Sequence, residues 1–544
     1  VTRVSRIAVV NRGEPAVRFL RGLSDYNRER DTALTAVALY TDPDRGAPFL
    51  RLADDTVSLG RALNPGPAGG MVSAYTDHDR VLAAIQATGC DAVWPGWGFV
   101  AEDASFVARL EQEGITFIGP SSTAMQQLGD KIAAKRVARD VGVPLAPWHV
   151  VGRDEPLAAT LEAAAHIGYP LVVKASAGAG GRGIRIVDNP EALASAILAV
   201  HDEATRSFRA GGILLEACVT SARHIEVQIV VGVDNIATAL GIRDCSIQRR
   251  HQKVIEESPS PVVGCALQRR LEQAAERLCA AVAYRGVCTV EYLVDPARDF
   301  AHFLEVNTRL QVEHTITEMT TGIDLVHVQL DIARGLAWEP CDSAAGAGRK
   351  SASPRGHAIE VRLNAEDPER DFQPSPGLVR VFRPPLGPGI RVDSGVAEGV
   401  VIAHEFDSMI AKLIAHGRDR KQALARLGRA LRELEISVED GATNKAFLSE
   451  LITDPAFLDG SADTGWLDRR MSSRRPIGTL PGYFEALCVA AILVRRRALD
   501  EAIASFFSDV KSGIPYRLDI DQMPIALSLR GAIASFEAHL IGVE

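Results

Sequence analysis

Glu305, Asn307, Arg309, Gln311 and Glu313 fall on alternate positions of one segment that ends at His314. An extended backbone sends successive side chains to opposite faces, so this spacing predicts a strand with those five on one side. Val306, Leu310 and Val312 then face the other side, into a core. The chain must therefore build a sheet with an apolar face and a densely polar one. A solvated outer face could carry charge, but two carboxylates, two amides and a guanidinium on one surface point to a place where metal, anion and proton chemistry meet.

The preceding residues support that reading. Val287-Cys288-Thr289-Val290-Glu291-Tyr292-Leu293-Val294 is β-rich, and Asp295-Pro296-Ala297-Arg298-Asp299 has turn chemistry. Phe300 to Glu305 then returns, which predicts a hairpin with Glu291 opposite or diagonal to Glu305. Carboxylates on neighbouring strands repel unless a cation lies between them. Carboxylate and amide oxygens are hard ligands suited to Mg²⁺, which usually also holds substrate phosphates. Glu291, Glu305 and Asn307 are thus the candidate metal ligands of a magnesium–nucleotide site.

Upstream, Tyr169-Pro170-Leu171-Val172-Val173-Lys174 has a buried-strand pattern and runs into a segment containing Gly178, Gly180, Gly181 and Gly183. Ile184-Arg185-Ile186-Val187 follows. This is neither a Walker A loop, which would need Gly-Lys-Ser/Thr, nor a dinucleotide fingerprint, which would lead into a helix. It is either a plain flexible turn or a lid whose backbone N–H groups meet phosphate. Lys174 at its start favours phosphate contact.

Together these segments resemble the biotin carboxylase component of biotin-dependent carboxylases, an ATP-grasp enzyme. The resemblance is carried by Asn11-Arg12-Gly13-Glu14, Pro95-Gly96-Trp97-Gly98-Phe99, Phe117-Ile118-Gly119-Pro120, Gly129-Asp130-Lys131, the glycine-rich segment and Arg223-His224-Ile225-Glu226-Val227-Gln228. It continues through Arg243-Asp244-Cys245-Ser246-Ile247-Gln248-Arg249-Arg250-His251-Gln252-Lys253, the polar ladder and Arg362-Leu363-Asn364-Ala365-Glu366-Asp367-Pro368. These motifs stand in family order from residue 6 to roughly 450. Trp97 is closer to the large single-chain acyl-CoA carboxylases than to the small stand-alone subunits.

The resemblance implies ATP- and bicarbonate-dependent carboxylation of biotin through carboxyphosphate, the first half-reaction of an acyl-CoA carboxylase. It implies that Lys131 and Lys174 hold phosphates beneath the Gly178–Gly183 lid. Glu216 to Val219 would lie at the adenine, with His224, Gln248 and His251 also at the nucleotide. Mg²⁺ (or Mn²⁺) would sit on Glu291, Glu305 and Asn307. Arg309, Gln311 and the Val312 backbone would bind bicarbonate, and Glu313 would be its general base. Arg362 would stabilise the biotin enolate, and Lys253 would add charge near the transferred phosphoryl group. Without the family, Gln248 to Lys253 would read as a surface basic patch, even a nucleic-acid contact. Ala177 and Ala179 replace glycines of the family's string, and Ala217 stands where many members carry lysine. Neither change removes a residue that the chemistry needs.

A net charge of −9 argues against general nucleic-acid binding, and the eight cysteines include no Cys-x-x-Cys pair, so no zinc site or disulfide framework is expected. Cys245 is expected to be structural or near biotin. The start shows no secretory signal, and the apolar run from Ala486 to Val494 is too short to span a bilayer. A reducing cytoplasm is expected.

The predicted fold class is α/β, an ATP-grasp fold of several domains. Residues 1–130 form an open parallel-sheet α/β domain, with Asn11-Arg12-Gly13-Glu14 at the carboxyl edge of its sheet. Residues 131–345 form the ATP-grasp domain, including a lid at about 145–220, and the small-residue stretch 343–351 reads as a linker. An α+β domain over 346–460 carries Arg362 and a helix with Leu424, Leu427, Leu431 and Leu434 as core stripe. Residues 461–544 form a helical extension, helical around Tyr483 to Val510, for partner docking or bridging, or inert. No Met-Lys-Met biotin-attachment sequence and no carboxyltransferase region is found. Biotin is therefore expected as a substrate carried on another chain or a missing region, with a carboxyltransferase partner and a homo-oligomer or larger assembly. The alternatives are another ATP-grasp carboxylate–amine ligase, which would not need the Arg309–Glu313 pocket or Arg362, and a non-catalytic subunit, which would be expected to have lost a ligand or the base.

Overall fold

The computed structural model describes residues 4–472 apart from 67–69, 153, 176–183, 209–211, 220, 296–299 and 339–353, together with residue 496. The lid glycines Gly178, Gly180, Gly181 and Gly183, the 343–351 linker and the expected helix around Tyr483 to Val510 lie outside the described residues.

The chain opens with a parallel five-stranded sheet in the order Asp55–Ser58, Thr35–Tyr40, Arg6–Val9, Ala92–Trp94 and Thr116–Phe117. Its three inner strands are short apolar runs covered on both faces, as a parallel sheet requires, whereas the edge strand Asp55–Ser58 is polar and exposed. Asn11 follows the central strand, and its Nδ2 donates to the carbonyls of Pro95 (2.6 Å) and Trp97 (2.8 Å). That pins two loops together at the carboxyl edge. Gly96 between them has φ +62°, and a Cβ there would come within 2.8 Å of the Trp94 ring. Only glycine fits this turn.

Residues 148–217 contribute a four-stranded sheet ordered Ile184–Val187, Leu171–Ala175, Ile213–Ala217, Trp148–Val151. The strands on either side of the glycine-rich segment pair with each other, with Lys174 opposite Ile184.

The largest element is an eight-stranded antiparallel sheet. Its order is Phe300–Asn307, Gly286–Asp295, Arg223–Val231, Ala237–Arg249, Gln252–Ser258, His357–Asn364, Met409–Gly417 and Ile390–Ser394. The strand pair Gln252–Ser258 and His357–Asn364 makes it continuous across the division expected at 345/346. Helix Cys265–Ala281 packs on one part through Leu267, Leu271 and Leu278. Helix Arg420–Glu433 packs on the other with Leu427 and Leu431 buried, Leu434 buried just past its end and Leu424 half-buried. The leucine stripe is core, as its spacing predicted. Residues 461–472 belong to this body: Arg223 donates to the carbonyls of Gly460 (3.0 Å) and Ala462, and Arg470 pairs with Glu450 and Asp454. Among the described residues no helix is long and apolar enough to cross a membrane.

Leu413 is fully buried where the two C-terminal strands meet helix Arg420–Glu433. Leu413→Ala should destabilise the protein by about 3 kcal/mol, read as a lower urea midpoint at unchanged slope. A loss below about 1 kcal/mol would mean that this layer is not a packed core.

Candidate active site

Glu291 and Glu305 are direct cross-strand partners, so the opposite rather than the diagonal register is the one formed. Their repulsion is relieved by separate donors. Glu305 lies 3.2 Å from Lys131 Nζ. Glu291 accepts from Lys253 (3.0 Å), Asn307 (2.8 Å) and Gln311 (2.9 Å), and His224 Nε2 lies 2.8 Å from its second oxygen.

The ladder that predicted this site is not one strand. The strand ends at Asn307, residues 308–312 form a turn, and Glu313 is the N-cap of helix His314–Thr321 with φ −83° and ψ 11°. The strand lies at the edge of the sheet, with a neighbour on one side only. Past Asn307, buried partners draw the chain inward instead. Gln311 bridges Arg243 and Glu291, each at 2.9 Å, and the Val312 carbonyl accepts from Lys412 at 2.7 Å. Leu310 enters the N-terminal core, whereas Val312 is only half-buried. The turn still delivers Arg309, Gln311 and Glu313 to the site that an extended strand was expected to build.

Lys253 gathers the carboxylates. Its ammonium donates to Glu226 (2.6 Å), Glu291 (3.0 Å) and Glu313 (2.6 Å), using all three of its N–H bonds. It stands opposite buried Gln248, beyond a hairpin turn made by Arg250 (φ +49°) and His251 (φ +64°). Asp371 holds Arg249 and Arg250 beside that turn. His251 is exposed at the turn, outside the carboxylate cluster. Arg362 divides its guanidinium between Glu256 (2.6 Å) and Glu313 (3.1 Å). Arg309 donates to Glu102 (2.8 Å) and Asn307 (3.1 Å).

Burial alone would raise the carboxyl of Glu313, but Lys253, Arg362 and Arg243 outweigh it and hold the group below the ordinary carboxylate range. Burial likewise opposes, and Lys253 and His224 overcome it, to hold Glu291 low. Burial pulls Lys253 down, yet Glu226, Glu291 and Glu313 push its ammonium well above the usual lysine range. His224 is lowered by burial and raised by Glu291, with the rise winning.

Three supports were not singled out from sequence. Arg243 is fully buried and uses its five N–H donors on Glu226, Gln228, Thr317, Thr289 and Gln311. The alternation of His224, Glu226 and Gln228 with Ile225 and Val227 carried that signal. Lys412, a lone lysine within Ile410-Ala411-Lys412-Leu413-Ile414, is buried 3.2 Å from Glu14 and 4.9 Å from the centre of the Trp97 ring. Lys135 shares Glu216 with Lys174, which lies 2.7 Å from it. Val219 is half-buried just past that strand. Buried Cys245 groups with Glu226 and Glu313, as His224 groups with Glu226 and Glu291, within 4.8 Å in each set. The Lys253 ammonium already neutralises both sets. Glu291 is held by Lys253 as well, but with Glu305 and Asn307 it offers hard oxygens on adjacent strands, with Glu305 one-third exposed, a donor set that fits Mg²⁺.

The biotin carboxylase N-terminal domain model matches residues 3–125, the carbamoyl-phosphate synthase L chain ATP-binding domain model residues 130–339, and the biotin carboxylase C-terminal domain model residues 360–469. The chain is 41% identical over 476 residues to the biotin-dependent acyl-coenzyme A carboxylase alpha3 subunit of Mycobacterium leprae, covering 86% of this chain and 75% of that one. It is 38% identical over 474 residues to the biotin carboxylase of Pseudomonas aeruginosa, covering 86% and 99%. Among solved structures, it matches Campylobacter jejuni biotin carboxylase in complex with β,γ-ATP, with TM-score 0.78, 36% identity and 86% and 99% coverage. It also matches the biotin carboxylase domain of Hydrogenobacter thermophilus 2-oxoglutarate carboxylase bound to MgADP, ADP and bicarbonate, with TM-score 0.77, 34% identity and 86% and 97% coverage. Fold and matches together define an ATP-dependent ligase of the ATP-grasp class. Within that class, the chain belongs to the biotin carboxylase family.

Lys253→Met leaves three buried carboxylates without their shared cation. The variant should lose about 3–5 kcal/mol at neutral pH. Glu291 and Glu313 are held low in the wild type, so their stabilisation is present above the unfolded carboxyl value and lost as pH falls through the folded one. The gap between variant and wild type should therefore narrow on acidification. Denaturation curves at several pH values that stay a constant distance apart would contradict this.

Proposed function

We propose that this chain carboxylates biotin: ATP phosphorylates bicarbonate, and the resulting carboxyphosphate breaks down to CO₂ and phosphate beside a biotin presented by a separate carrier. The observation that carries this reading is Glu313, a buried carboxylate held ionised between Lys253 and Arg362 at the end of the Arg309–Glu313 turn. A ligase that joins a carboxylate to an amine has no use for such an arrangement.

In this reading Lys131 and Lys174 bind phosphate oxygens, with Gly178, Gly180, Gly181 and Gly183 covering them. The strand end at Glu216 to Val219 meets the adenine. His224, Gln248 and His251 complete the nucleotide site, His251 from the exposed turn. Glu291, Glu305 and Asn307 are the residues that would hold Mg²⁺ (or Mn²⁺), which when bound supplies positive charge against the phosphates. Phosphoryl transfer then needs mainly positioning and charge neutralisation. Arg309, Gln311 and the Val312 backbone hold bicarbonate.

Glu313 takes the proton from bicarbonate. Clamped by two cations it is a weak base, since basicity falls with pKa. The negative charge of ATP and bicarbonate draws Lys253 and Arg362 onto the substrates and restores the base. Lys253 then faces the migrating phosphoryl group. Arg362 meets the enolate oxygen that forms when released phosphate deprotonates the biotin ureido nitrogen; its fixed charge and forked donors suit that oxyanion.

Residues 1–130, 131–345 and 346–460 serve as N-terminal, ATP-grasp and C-terminal domains, and the function assigned to the extension, in the part beyond residue 472, is partner docking or bridging. A carrier domain and a carboxyltransferase complete the enzyme, with an acyl-CoA as final acceptor; the named M. leprae subunit supports this. We place the chain in the cytoplasm, consistent with its unpaired cysteines among the described residues.

ADP release by the purified chain with Mg²⁺-ATP tests the reading. Turnover should need bicarbonate and rise further with free biotin; turnover indifferent to bicarbonate would refute it. Glu313→Gln should lower that turnover by at least about 10²-fold while ATP affinity stays within a factor of about two. Persisting turnover would remove Glu313 as the base.

A further inference from the structure

Behind Arg362 lies a pair of carboxyls that the reaction above does not use. Glu256 on strand Gln252–Ser258 and Glu360 on strand His357–Asn364 are direct cross-strand partners, and both are fully buried. Side chains at such positions leave one face of the sheet with Cβ atoms about 5 Å apart. One oxygen of each has a partner. Glu256 Oε1 lies 2.6 Å from Arg362, and Glu360 Oε2 accepts from the Thr315 hydroxyl. Glu256 Oε2 and Glu360 Oε1 have no hydrogen-bond partner among the described residues. A buried carboxylate oxygen without a donor is costly. A single proton answers both vacancies, with the O–H of one carboxyl donating to the other.

The surrounding charges agree. Arg362, Lys253 and the carboxylate of Glu313 face Glu256; Lys412, Arg362 and the Thr315 hydroxyl face Glu360. Lys253 already serves Glu226, Glu291 and Glu313, and Lys412 serves Glu14 and the Val312 carbonyl. Among the described residues, Arg362 is the cation bonded directly to Glu256, and it is itself shared with Glu313. Burial raises Glu256 to about 7 against the pull of Arg362, and Glu360 to about 8 against that of Lys412.

We propose that Glu256 and Glu360 hold one proton between them and act as positioning residues for Arg362. With the proton in place, the guanidinium is divided between Glu256 and Glu313 and is free to turn to a substrate oxyanion. When the proton is lost, Glu256 clamps it. This rests on the reading of Arg362 as the substrate-facing cation.

Glu360→Gln keeps the volume and removes the partner's charge, so Glu256 ionises and clamps Arg362 at lower pH. The alkaline decline of kcat/KM for biotin should begin about one pH unit lower than in the wild type, with the KM for ATP unchanged. Glu256→Gln has no clamp and should lose that decline. Infrared difference spectra between acid and alkaline pH give a readout independent of turnover. The wild type should show the C=O band of a protonated carboxyl near neutral pH, and Glu360→Gln should lose it. Superimposable pH profiles for all three proteins, or a wild type without that band, would overturn the proposal. Absence of bicarbonate-dependent ADP release in the wild type would instead sink the reading of Arg362 itself.

Discussion

Lys253 holds Glu226, Glu291 and Glu313 on one ammonium, and much of the surrounding architecture serves to make that contact possible. Carboxylates removed from water repel one another and resist ionisation unless a cation and hydrogen-bond donors meet them. Here they come from three neighbouring places: Glu226 from a central strand, Glu291 from the strand beside it, and Glu313 from a helix start. Arg243 braces the same group from below with five bonds, so the cluster cannot shift piecemeal. The stored electrostatic energy gives the site its directionality. In the proposed reaction, anionic substrates compete for the very cations that keep Glu313 quiescent.

The eight-stranded sheet explains how residues far apart in sequence reach this point. Arg362 and Lys412 come from neighbouring strands beyond residue 354, and the pairing of His357–Asn364 with Gln252–Ser258 joins them to the strands that precede residue 260. Lys412 also ties the first domain to the site. It joins Glu14 to the Val312 carbonyl under Trp97, so the Arg309–Glu313 turn is fixed by three separate parts of the chain. The site is therefore a product of the whole fold rather than of one loop.

Much of this was legible in the residues. Period-two alternation located the strands around Glu291 and Glu305, and turn chemistry joined them into a hairpin. Heptad-like leucines located the helix Arg420–Glu433. What alternation could not reveal was the end of the strand at Asn307. A strand and an irregular turn can carry the same polar spacing, and the choice was made by Arg243 and Lys412, tertiary partners distant in sequence. Buried charges such as Lys135, Lys412 and Glu360 were passed over for a related reason: a polar residue within an apolar run betrays its burial, but not its partner. The family resemblance named the candidate site residues, whereas the pairing of Glu256 with Glu360 could be seen only once the strands were in register.

In the proposed mechanism the Arg309–Glu313 turn is an anion pocket whose base is released when substrates take over its cations. A crystal structure with bicarbonate, Mg²⁺ and a non-hydrolysable ATP analogue tests this directly. Bicarbonate is expected against Arg309, Gln311 and the Val312 backbone, within hydrogen-bonding distance of Glu313, with Lys253 withdrawn from that carboxylate. Bicarbonate bound elsewhere, or Lys253 still locked on Glu313 with all substrates present, would contradict it.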